Sequence, residues 1–415
     1  MKKILLPILF AASYLNAQQF ERCSSYDYMQ QQIAADPTLI NRINAIEAQC
    51  AAYQAQYPNG YNGSRAVVVI PVVVHVVYGN STENISSTRI YEQIASLNED
   101  YRKTNPDISN LPTAWQGVAA DCEIEFCLAV RDPNNNWTDG INRVSTTTST
   151  FNTNDAVKSS ATGGADAWDR NKYLNLWVCD LGSQLLGYAQ FPGGAASTDG
   201  VVIHYRYFGE TGAISPFNKG RTATHEIGHW LGLRHIWGDD GGSCGGTDYC
   251  ADTPNQADEN YGTYAPGTVL TDNCTSSSPG VMWCNYMDYT DDGSMYFFTA
   301  NQKTRMWTNL NNSRVSLQTS LGCILVGVND ITLQGVFNVY PTPTSGMVTL
   351  DFGGKAPADY DITIFNTLGE KIGSQHVAML HERTMTMDLS GYGKGIYLIE
   401  VRNATEKATK RVVVQ

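Results

Sequence analysis

The sequence is poor in basic residues and, beyond its first residues, contains no long apolar run. Of its 415 residues, 28 are Lys or Arg and 40 are Asp or Glu, which gives a formal net charge of −12. Nucleic acid binding needs clustered Lys and Arg, so this balance argues against nucleic acid as a partner. No later segment approaches the roughly 18 apolar residues of a membrane span. The length suits two or three domains.

The first 17 residues have the form of a secretory signal peptide. "MKKILLPILFAASYLNA" contains two lysines, a short apolar run and a small residue, Ala17, before "QQ". Such a run is too short to span a bilayer and is removed during export. We therefore expect a mature protein that is secreted or displayed at the cell surface.

Ten cysteines in an exported chain predict disulfide bonds. Cys244, Cys250, Cys274 and Cys284 lie in a segment rich in Gly, Asp, Ser and Thr, which has few other means of fixing its shape. Four cysteines allow three pairings, and the sequence does not choose among them. A zinc–thiolate cluster is the alternative, but the segment has no C-x₂-C pair.

The pattern of apolar residues predicts helices and a sheet before residue 325. Residues 18–64 are polar, have helical spacing and end in the turn formers "PNGYNGS". "RAVVVIPVVVHVVY" predicts a buried strand with His75 in the core. "SSTRIYEQIASLNEDYRKTN" predicts an amphipathic helix that begins at Ser86 or Ser87. "CEIEFCLAV", "YLNLWVCDL" and "GVVIHY" predict further strands, so this region is expected to be α/β or α+β.

After about residue 325 the pattern changes to short alternating strands separated by turns. "FNVYPTPTSGMVTLDF", "YDITIFNTLGEKI" and "TMTMDLSGYGKGIYLIEVRN" are examples. This pattern is typical of a β-sandwich, so residues 330–415 are predicted to form a separate module. His376 and His381 have no ligand-like neighbours in sequence and are interpreted as surface residues.

Three of the seven histidines, His225, His229 and His235, fall within eleven residues of "RTATHEIGHWLGLRHIWGD". Residues four apart share a helix face, so the first two project side by side as a zinc-chelating pair. Glu226 lies one position round and can reach a water at the metal. Gly232 can adopt a positive φ and end the helix, so that the chain turns and brings His235 back towards the first two histidines. The pattern H-E-x-x-H-x-x-G-x-x-H is the metzincin zinc signature; the alternative is an amphipathic helix with incidental histidines.

A methionine turn is expected beneath the metal of a metzincin, and "CNYMDYTDD" follows the histidines with Met287 in that setting. Tyr289, two residues on, can approach the zinc or hydrogen-bond a developing oxyanion. A methionine flanked by tyrosines is usually a core residue. Its place after the zinc signature favours the methionine turn.

These and other segments between about residues 65 and 310 resemble the pappalysin family of metzincins. The matching segments are "IPVVVHVVY", "LNEDYRKTN", "IEFCLA", "YLNLWVCDL", "GYAQFPG", "GRTATHEIGHWLGLRHIWGD", "DTP" and "NYMDYTDD". The resemblance implies a zinc endopeptidase of α+β fold, with a twisted mixed sheet, backing and active-site helices, and an irregular, calcium-stabilised lower subdomain. It also implies that extended substrates bind a rim strand near Gly187–Gly193.

The resemblance further implies a preference for Arg, and less so Lys, directly after the scissile bond. The responsible aspartate corresponds to Asp292, because a carboxylate at the bottom of a pocket gives a guanidinium a desolvated, bidentate partner. The alternatives for this residue are a solvated loop acid or a calcium ligand. Asp248, Asp252 and Thr253 supply the hard oxygen ligands that calcium prefers.

The resemblance also implies that the enzyme is made in a latent form. Cys23 in "FERCSSYDY" is similar to a propeptide cysteine whose thiolate occupies the fourth zinc position in a family member. A Cys23–Cys50 disulfide and blocking of the zinc by Asp27 are the alternatives.

The junction "NGSRAVV" places Arg65 after Ser64 in an exposed linker. An enzyme that prefers Arg after the scissile bond would cut this bond itself. Residues 18–64 are therefore predicted to be the propeptide, and residues 65–325 the catalytic domain.

The C-terminal module resembles the sorting domain of type IX secretion. "NVYPTPTSGMVTL", "IFNTLGEKI", "KGIYLIEV" and the basic "KATKRVVVQ" carry the resemblance, with Y-P-T-P in place of the usual Y-P-N-P. The resemblance implies the secretion machinery as a partner. A generic adhesion module is the alternative.

Together these features predict a secreted endopeptidase with one catalytic zinc and structural calcium. Glu226 is expected to act as general base, Tyr289 to stabilise the tetrahedral intermediate, and Met287 to form an apolar floor. Protein and peptide substrates and the chain's own propeptide are the expected partners, with no nucleic acid and no membrane span. The rival functions are a surface-displayed binding protein on an inactive scaffold and a zinc amidase.

Overall fold

The computed structural model describes residues 21–58, 60, 66–182, 184–324, 333–353, 358–380, 382–404 and 406–415. Several sequence predictions fall outside these ranges: the signal peptide (1–17), the junction at Ser64 and Arg65, the boundary near 325–330, and His381. No helix within the described ranges is both long enough and apolar enough to cross a membrane.

Two helices form the N-terminal segment, α1 (Ser25–Ala35) and α2 (Leu39–Gln56), as the spacing of its apolar residues predicted. Met29 of α1 and Leu39 and Ile43 of α2 are buried in one cluster with Phe191 from the predicted rim segment. The same residues that make the helices amphipathic therefore hold this segment against the predicted rim segment.

A six-stranded mixed sheet is the frame of the region between residues 66 and 324. Its strands are β1 (Val68–Tyr78), β3 (Ile124–Leu128), β4 (Ile141–Ser145), β5 (Leu174–Cys179), β6 (Gly187–Ala189) and β7 (Val201–His204). A separate pair is formed by β2 (Ala119–Ala120) and β8 (Phe298–Thr299). The strand order of the large sheet is β3-β1-β5-β7-β6, with β4 also paired to β1. Strand β1 pairs in parallel with β3, β4 and β5, β5 pairs in parallel with β7, and β6 is the antiparallel edge strand.

The β-branched run in β1 is buried continuously from Ile70 to Val77, as expected for a strand covered on both faces. His75 is a core histidine, as predicted. Its ring stacks on Trp177 at 5.2 Å and hydrogen-bonds to the side chains of Asn175 and Asn142, each at 3.0 Å. Burial lowers the pKa of His75 to about 4, which keeps the imidazole neutral.

Three further helices pack in this region and carry the site: α3 (Ser87–Tyr101), α4 (Arg221–Trp230) and α5 (Ala300–Asn312). The hydroxyl of Ser86 caps α3 by accepting from the amide of Arg89 at 3.3 Å, so Ser86 is the N-cap of the two predicted candidates. Tyr101 at the end of α3 donates to the carbonyl of Thr224 in α4 at 3.0 Å. The backing helix thus bonds directly to the helix that carries the histidines.

The disulfides differ from the prediction for the irregular segment. Cys244 pairs with Cys274, whereas Cys250 and Cys284 are free and buried. These two behave as small apolar core residues, which is common for buried cysteine. A second disulfide joins Cys127 in β3 to Cys323, 196 residues later.

The C-terminal module is an antiparallel sandwich with its own core. A short helix, α6 (Leu333–Val336), precedes the strands β9 (Asn338–Tyr340), β10 (Met347–Asp351), β11 (Ala358–Phe365), β12 (Lys371–Leu380), β13 (Thr384–Asp388), β14 (Gly395–Arg402) and β15 (Lys407–Val414). One sheet has the strand order β13-β10-β9 and the other the order β12-β11-β14-β15. His376 is exposed, as predicted, and pairs with Asp361 at 2.8 Å.

Candidate active site

The three histidines of the zinc signature meet at one point. His225 and His229 project from the same face of α4, which ends at Trp230. Gly232 then adopts a φ of +94°, the left-handed conformation that glycine favours, and the chain turns back. As a result, Nε2 of His229 lies 3.0 Å from Nε2 of His225 and 3.0 Å from Nε2 of His235.

The other nitrogen of each ring has an oxygen partner. Nδ1 of His225 donates to the carbonyl of Tyr286 at 2.7 Å, and Nδ1 of His229 to the carbonyl of Leu233 at 2.9 Å. Nδ1 of His235 lies 2.6 Å from Oδ1 of Asp239. Burial lowers the pKa of His225 and His229 well below its ordinary value. Because each Nδ1 has an oxygen partner, the three Nε2 atoms are left to face one point, which fits a zinc ion.

Cys23 completes this set from the N-terminal segment. Its thiol and the three histidines place four ligand atoms within 4.8 Å of one another. In the part of the chain that the structure describes, no other group of three or more His, Cys, Asp or Glu side chains is arranged to hold a metal ion. Cys23 and Cys50 are both free thiols, so the alternative disulfide between them is absent. Asp27, the other alternative, is exposed in the first turn of α1.

Glu226 lies beside the four ligand atoms and is fully buried. Its Oε2 accepts from the Cys23 thiol at 3.4 Å and from the Ser25 hydroxyl at 2.6 Å. Its Oε1 is buried with no hydrogen-bond partner. Burial raises the pKa of Glu226 to about 8, which suits a group that must take up and release a proton near neutral pH.

Met287 and Tyr289 lie under and beside the histidines. A Cβ added to Gly228, in the middle of α4, would be only 2.6 Å from Sδ of Met287, so the helix and the methionine are in close contact. The hydroxyl of Tyr289 lies 3.2 Å from Nε2 of His235 and donates to the carbonyl of Cys23 at 3.1 Å. Trp237, which sequence reasoning missed, stacks on His235 with ring centroids 4.3 Å apart.

Asp292 is buried and lines a small cavity that is also lined by His225 and Glu226. It accepts from the backbone amides of Lys219 at 2.8 Å and Arg221 at 3.4 Å. Burial raises its pKa, and the amides and nearby guanidinium groups oppose that shift. This environment differs from the alternative of a solvated loop acid.

The same cavity contains Arg22, a residue that sequence reasoning missed. Its guanidinium lies 4.0 Å from the centre of the Phe217 ring, donates to the carbonyl of Thr290 and is 3.4 Å from Oδ1 of Asp291. The only signal in the sequence was its position next to Cys23. The N-terminal segment therefore presents an arginine to the pocket that the resemblance assigned to arginine.

The edge strand β6 and the residues just before it bind the N-terminal segment through the backbone. The amide of Leu186 donates to the carbonyl of Glu21 at 3.1 Å, and the amide of Ser24 donates to the carbonyl of Gly187 at 3.2 Å. Glu21 and Leu185 form a parallel bridge. This edge thus accepts an extended chain across the site.

The three candidate calcium ligands, Asp248, Asp252 and Thr253, do not share the same hydrogen-bond partners. Both oxygens of Asp248 accept from the Thr253 hydroxyl, at 2.9 and 2.8 Å. Asp252 instead accepts from the Thr299 hydroxyl at 2.7 Å and the amide of Asn301 at 2.9 Å, where α5 begins. These contacts separate Asp252 from the other two candidates.

Comparisons with known proteins agree with this arrangement. Residues 158–311 match the family described as pregnancy-associated plasma protein-A, and residues 338–415 match the secretion system C-terminal sorting domain. An extracellular metalloprotease of Neurospora crassa is 32% identical over 275 residues, which are 63% of this chain and 81% of that protein. One from Colletotrichum graminicola is 38% identical over 177 residues, 41% of this chain and 61% of that protein.

Two solved structures are also similar. Mature mirolysin of Tannerella forsythia in complex with a cleaved peptide has a TM-score of 0.61 and 52% identity, covering 64% of this chain and 100% of that chain. A promirolysin mutant of the same organism has a TM-score of 0.67 and 48% identity, covering 74% and 99%.

The three-histidine centre and these relatives define a secreted metalloendopeptidase that is made as a pro-form. The chain belongs to the pappalysin family of metzincins and ends in a type IX secretion sorting domain.

Proposed function

We propose that the chain is a zinc endopeptidase in which His225, His229 and His235 hold the metal. The observation that carries this proposal is the convergence of three Nε2 atoms beside the Glu226 carboxylate, with Nε2 of His229 lying 3.0 Å from Nε2 of His225 and 3.0 Å from Nε2 of His235. Zinc, when bound, lowers the pKa of a water molecule and polarises the scissile carbonyl.

The surrounding residues move the proton and stabilise charge. Glu226 takes the proton from the attacking water and returns it to the leaving amine, because its Oε2 becomes free once Cys23 and Ser25 leave. The Tyr289 hydroxyl, beside His235, donates to the developing oxyanion. Met287 packs against α4 from below and so helps to hold the helix that carries the first two histidines in place.

We propose that the N-terminal segment keeps the enzyme latent by occupying both the metal site and the cleft. Cys23 supplies the fourth ligand atom, and Ser25 bonds to the general base. The backbone of Glu21 and Ser24 occupies the hydrogen-bonding groups of the rim strand. A substrate cannot reach the three histidines while these contacts persist.

A preference for Arg, and less so Lys, after the scissile bond is the specificity that we propose. Arg22 supports it, because a guanidinium already lies in the cavity that contains Asp292, and Asp292 and Asp291 both act to stabilise its charge. A planar guanidinium can stack on Phe217 while donating to carbonyl and carboxylate oxygens, which an ammonium group does less well.

This specificity leads to the proposal that the enzyme activates itself at Ser64–Arg65. The proposed division of the chain is a signal peptide (1–17), a propeptide (18–64), a catalytic domain (65–325) and a sorting domain (330–415). The sorting domain would deliver the enzyme to the type IX secretion machinery.

We further propose a structural calcium ion at Asp248 and Thr253. Burial raises the pKa of Asp248 to about 7, and a cation beside this carboxylate would keep it ionised. The Thr253 hydroxyl oxygen also lies 2.7 Å from the carbonyl oxygen of Cys250, so three hard oxygens lie together. Removing calcium while retaining zinc should then lower thermal stability and activity, and adding calcium back should restore both.

The test of the function is mass spectrometry of a mixed peptide library after incubation with enzyme freed of its propeptide. Cleavage should precede Arg or Lys, and it should disappear with a chelator or in the Glu226→Ala variant. In Asp292→Asn the preference for Arg should fall while cuts elsewhere persist. Cleavage without basic preference would remove the role of Asp292, and no cleavage at all would favour the binding-scaffold alternative.

A further inference from the structure

A second propeptide side chain, Tyr28, occupies a pocket on the other side of the metal site from Arg22. Its side chain is 1% exposed and belongs to the cluster that contains Val157, Trp177 and Tyr188. The rings of Tyr28 and Tyr188 meet edge to face with centroids 5.0 Å apart. The pocket walls are therefore aromatic and apolar.

The far end of the pocket is polar and charged. The Tyr28 hydroxyl donates to Oδ1 of Asp155 at 2.6 Å and accepts from Nζ of Lys158 at 3.0 Å. Lys158 is itself buried, with its side chain 1% exposed, and also contacts Asp155 at 2.9 Å and the carbonyl of Thr198 at 2.9 Å. A buried lysine and a carboxylate that both bond to one phenol form a site suited to a hydroxyl-bearing aromatic side chain.

The contacts along the rim strand locate this pocket relative to the scissile bond. The carbonyl of Glu21 accepts from the amide of Leu186, and the hydroxyl of Ser25 accepts from the amide of Ala189. The propeptide chain therefore runs along the rim strand from the Arg22 side towards Gln190. Gln190 lies 3.4 Å from the Tyr28 hydroxyl, whereas Gly187 packs over Glu226. At about 3.3 Å per strand residue, the pocket lies within about three residues of the catalytic centre, on the side away from Asp292.

The pocket borders open space in addition to the propeptide. Asp155 and Thr198 also line a groove between the propeptide helices and residues 193–195. Removal of the propeptide would withdraw Tyr28 and leave Asp155 and Lys158 facing that groove.

We infer that in the mature enzyme this pocket is a specificity subsite that binds a tyrosine side chain of the substrate, one to three residues before the scissile bond. The inference rests on the proposed function, because it takes the Arg22 pocket as the site of the residue after that bond. Tyrosine should be preferred to phenylalanine, since phenylalanine fills the aromatic walls but leaves Asp155 and Lys158 without the phenol oxygen.

The experiment measures kcat/KM of mature enzyme on synthetic peptides that all have Arg after the scissile bond. Tyr, Phe or Ala is placed at each of the three preceding positions in turn. At one position Tyr should exceed Phe by about tenfold, as expected for a hydrogen bond to charged groups. In Asp155→Asn this ratio should fall towards one. Asn tolerates the positive φ of 64° at this position, so the backbone is not strained, and a thermal melt checks folding.

A second measurement leaves the enzyme unchanged. A synthetic peptide of residues 21–58 should inhibit mature enzyme about tenfold less well when it carries Tyr28→Phe. Equal rates for Tyr and Phe peptides at all three positions would overturn the inference while leaving cleavage before Arg intact. Absence of cleavage in every peptide would overturn both the inference and the proposed function.

Discussion

Replacing Arg22 by alanine should strongly weaken the inhibition of the mature enzyme by its propeptide. Arg22 is 7% exposed, donates to the carbonyl of Thr290, pairs with Asp291 and stacks on Phe217. Truncating one partner of a buried, hydrogen-bonded charge pair costs about 2–5 kcal/mol, largely because the remaining charge is left unpaired. We expect a loss of about 3 kcal/mol, or about 100-fold in the inhibition constant.

The assay is inhibition of mature enzyme by synthetic peptides of residues 21–58, followed through initial rates of cleavage. Arg22→Lys should lie between the wild-type and alanine peptides, because an ammonium group keeps the charge but not the planar stacking or the forked donor geometry. Gln30→Ala changes an exposed position of helix α1, which follows Arg22 in the same peptide, and serves as the matched control, with an expected change below about twofold. Equal inhibition by the wild-type and Arg22→Ala peptides would refute the reasoning.

Three further predictions concern the metal turn, the oxyanion and the long-range disulfide. Gly232→Ala should lower the free energy of unfolding by about 2–3 kcal/mol and reduce zinc content, as a thermal melt and metal analysis would show. The reason is that the added Cβ would lie 2.2 Å from Nδ2 of Asn309, at a backbone φ of +94° that alanine rarely adopts. Tyr289→Phe should lower kcat about 100-fold with zinc content unchanged, measured by steady-state kinetics. Replacing both Cys127 and Cys323 by serine should cost about 2–5 kcal/mol of stability in denaturant titrations, because the bond closes a long loop.

Local patterns in the sequence predicted the elements that depend on neighbouring residues. The β-branched run became β1, the apolar stripe with its serine cap became α3, and Gly232 marked the turn after α4. Each of these features is determined by alternation, helical periodicity or a φ that only some residues tolerate. The α+β class followed from their order along the chain.

Features that depend on distant parts of the chain were beyond sequence reasoning. Cys127 and Cys323 are 196 residues apart, so no local pattern relates them. Of the four loop cysteines expected to form disulfides, Cys244 and Cys274 do so, whereas Cys250 and Cys284 are free. Arg22 gained its role only because folding places it over Phe217. A single propeptide arginine has no periodicity or spacing that would distinguish it.

The most direct test of the central claim combines zinc analysis with cleavage assays on three forms of the mature enzyme. The wild type should hold one zinc ion per chain and cut before Arg. Glu226→Ala should retain zinc but lose nearly all cleavage, because only the general base is removed. His229→Ala should lose both zinc and cleavage. Cleavage at the wild-type rate by Glu226→Ala, or full zinc content in His229→Ala, would contradict the account.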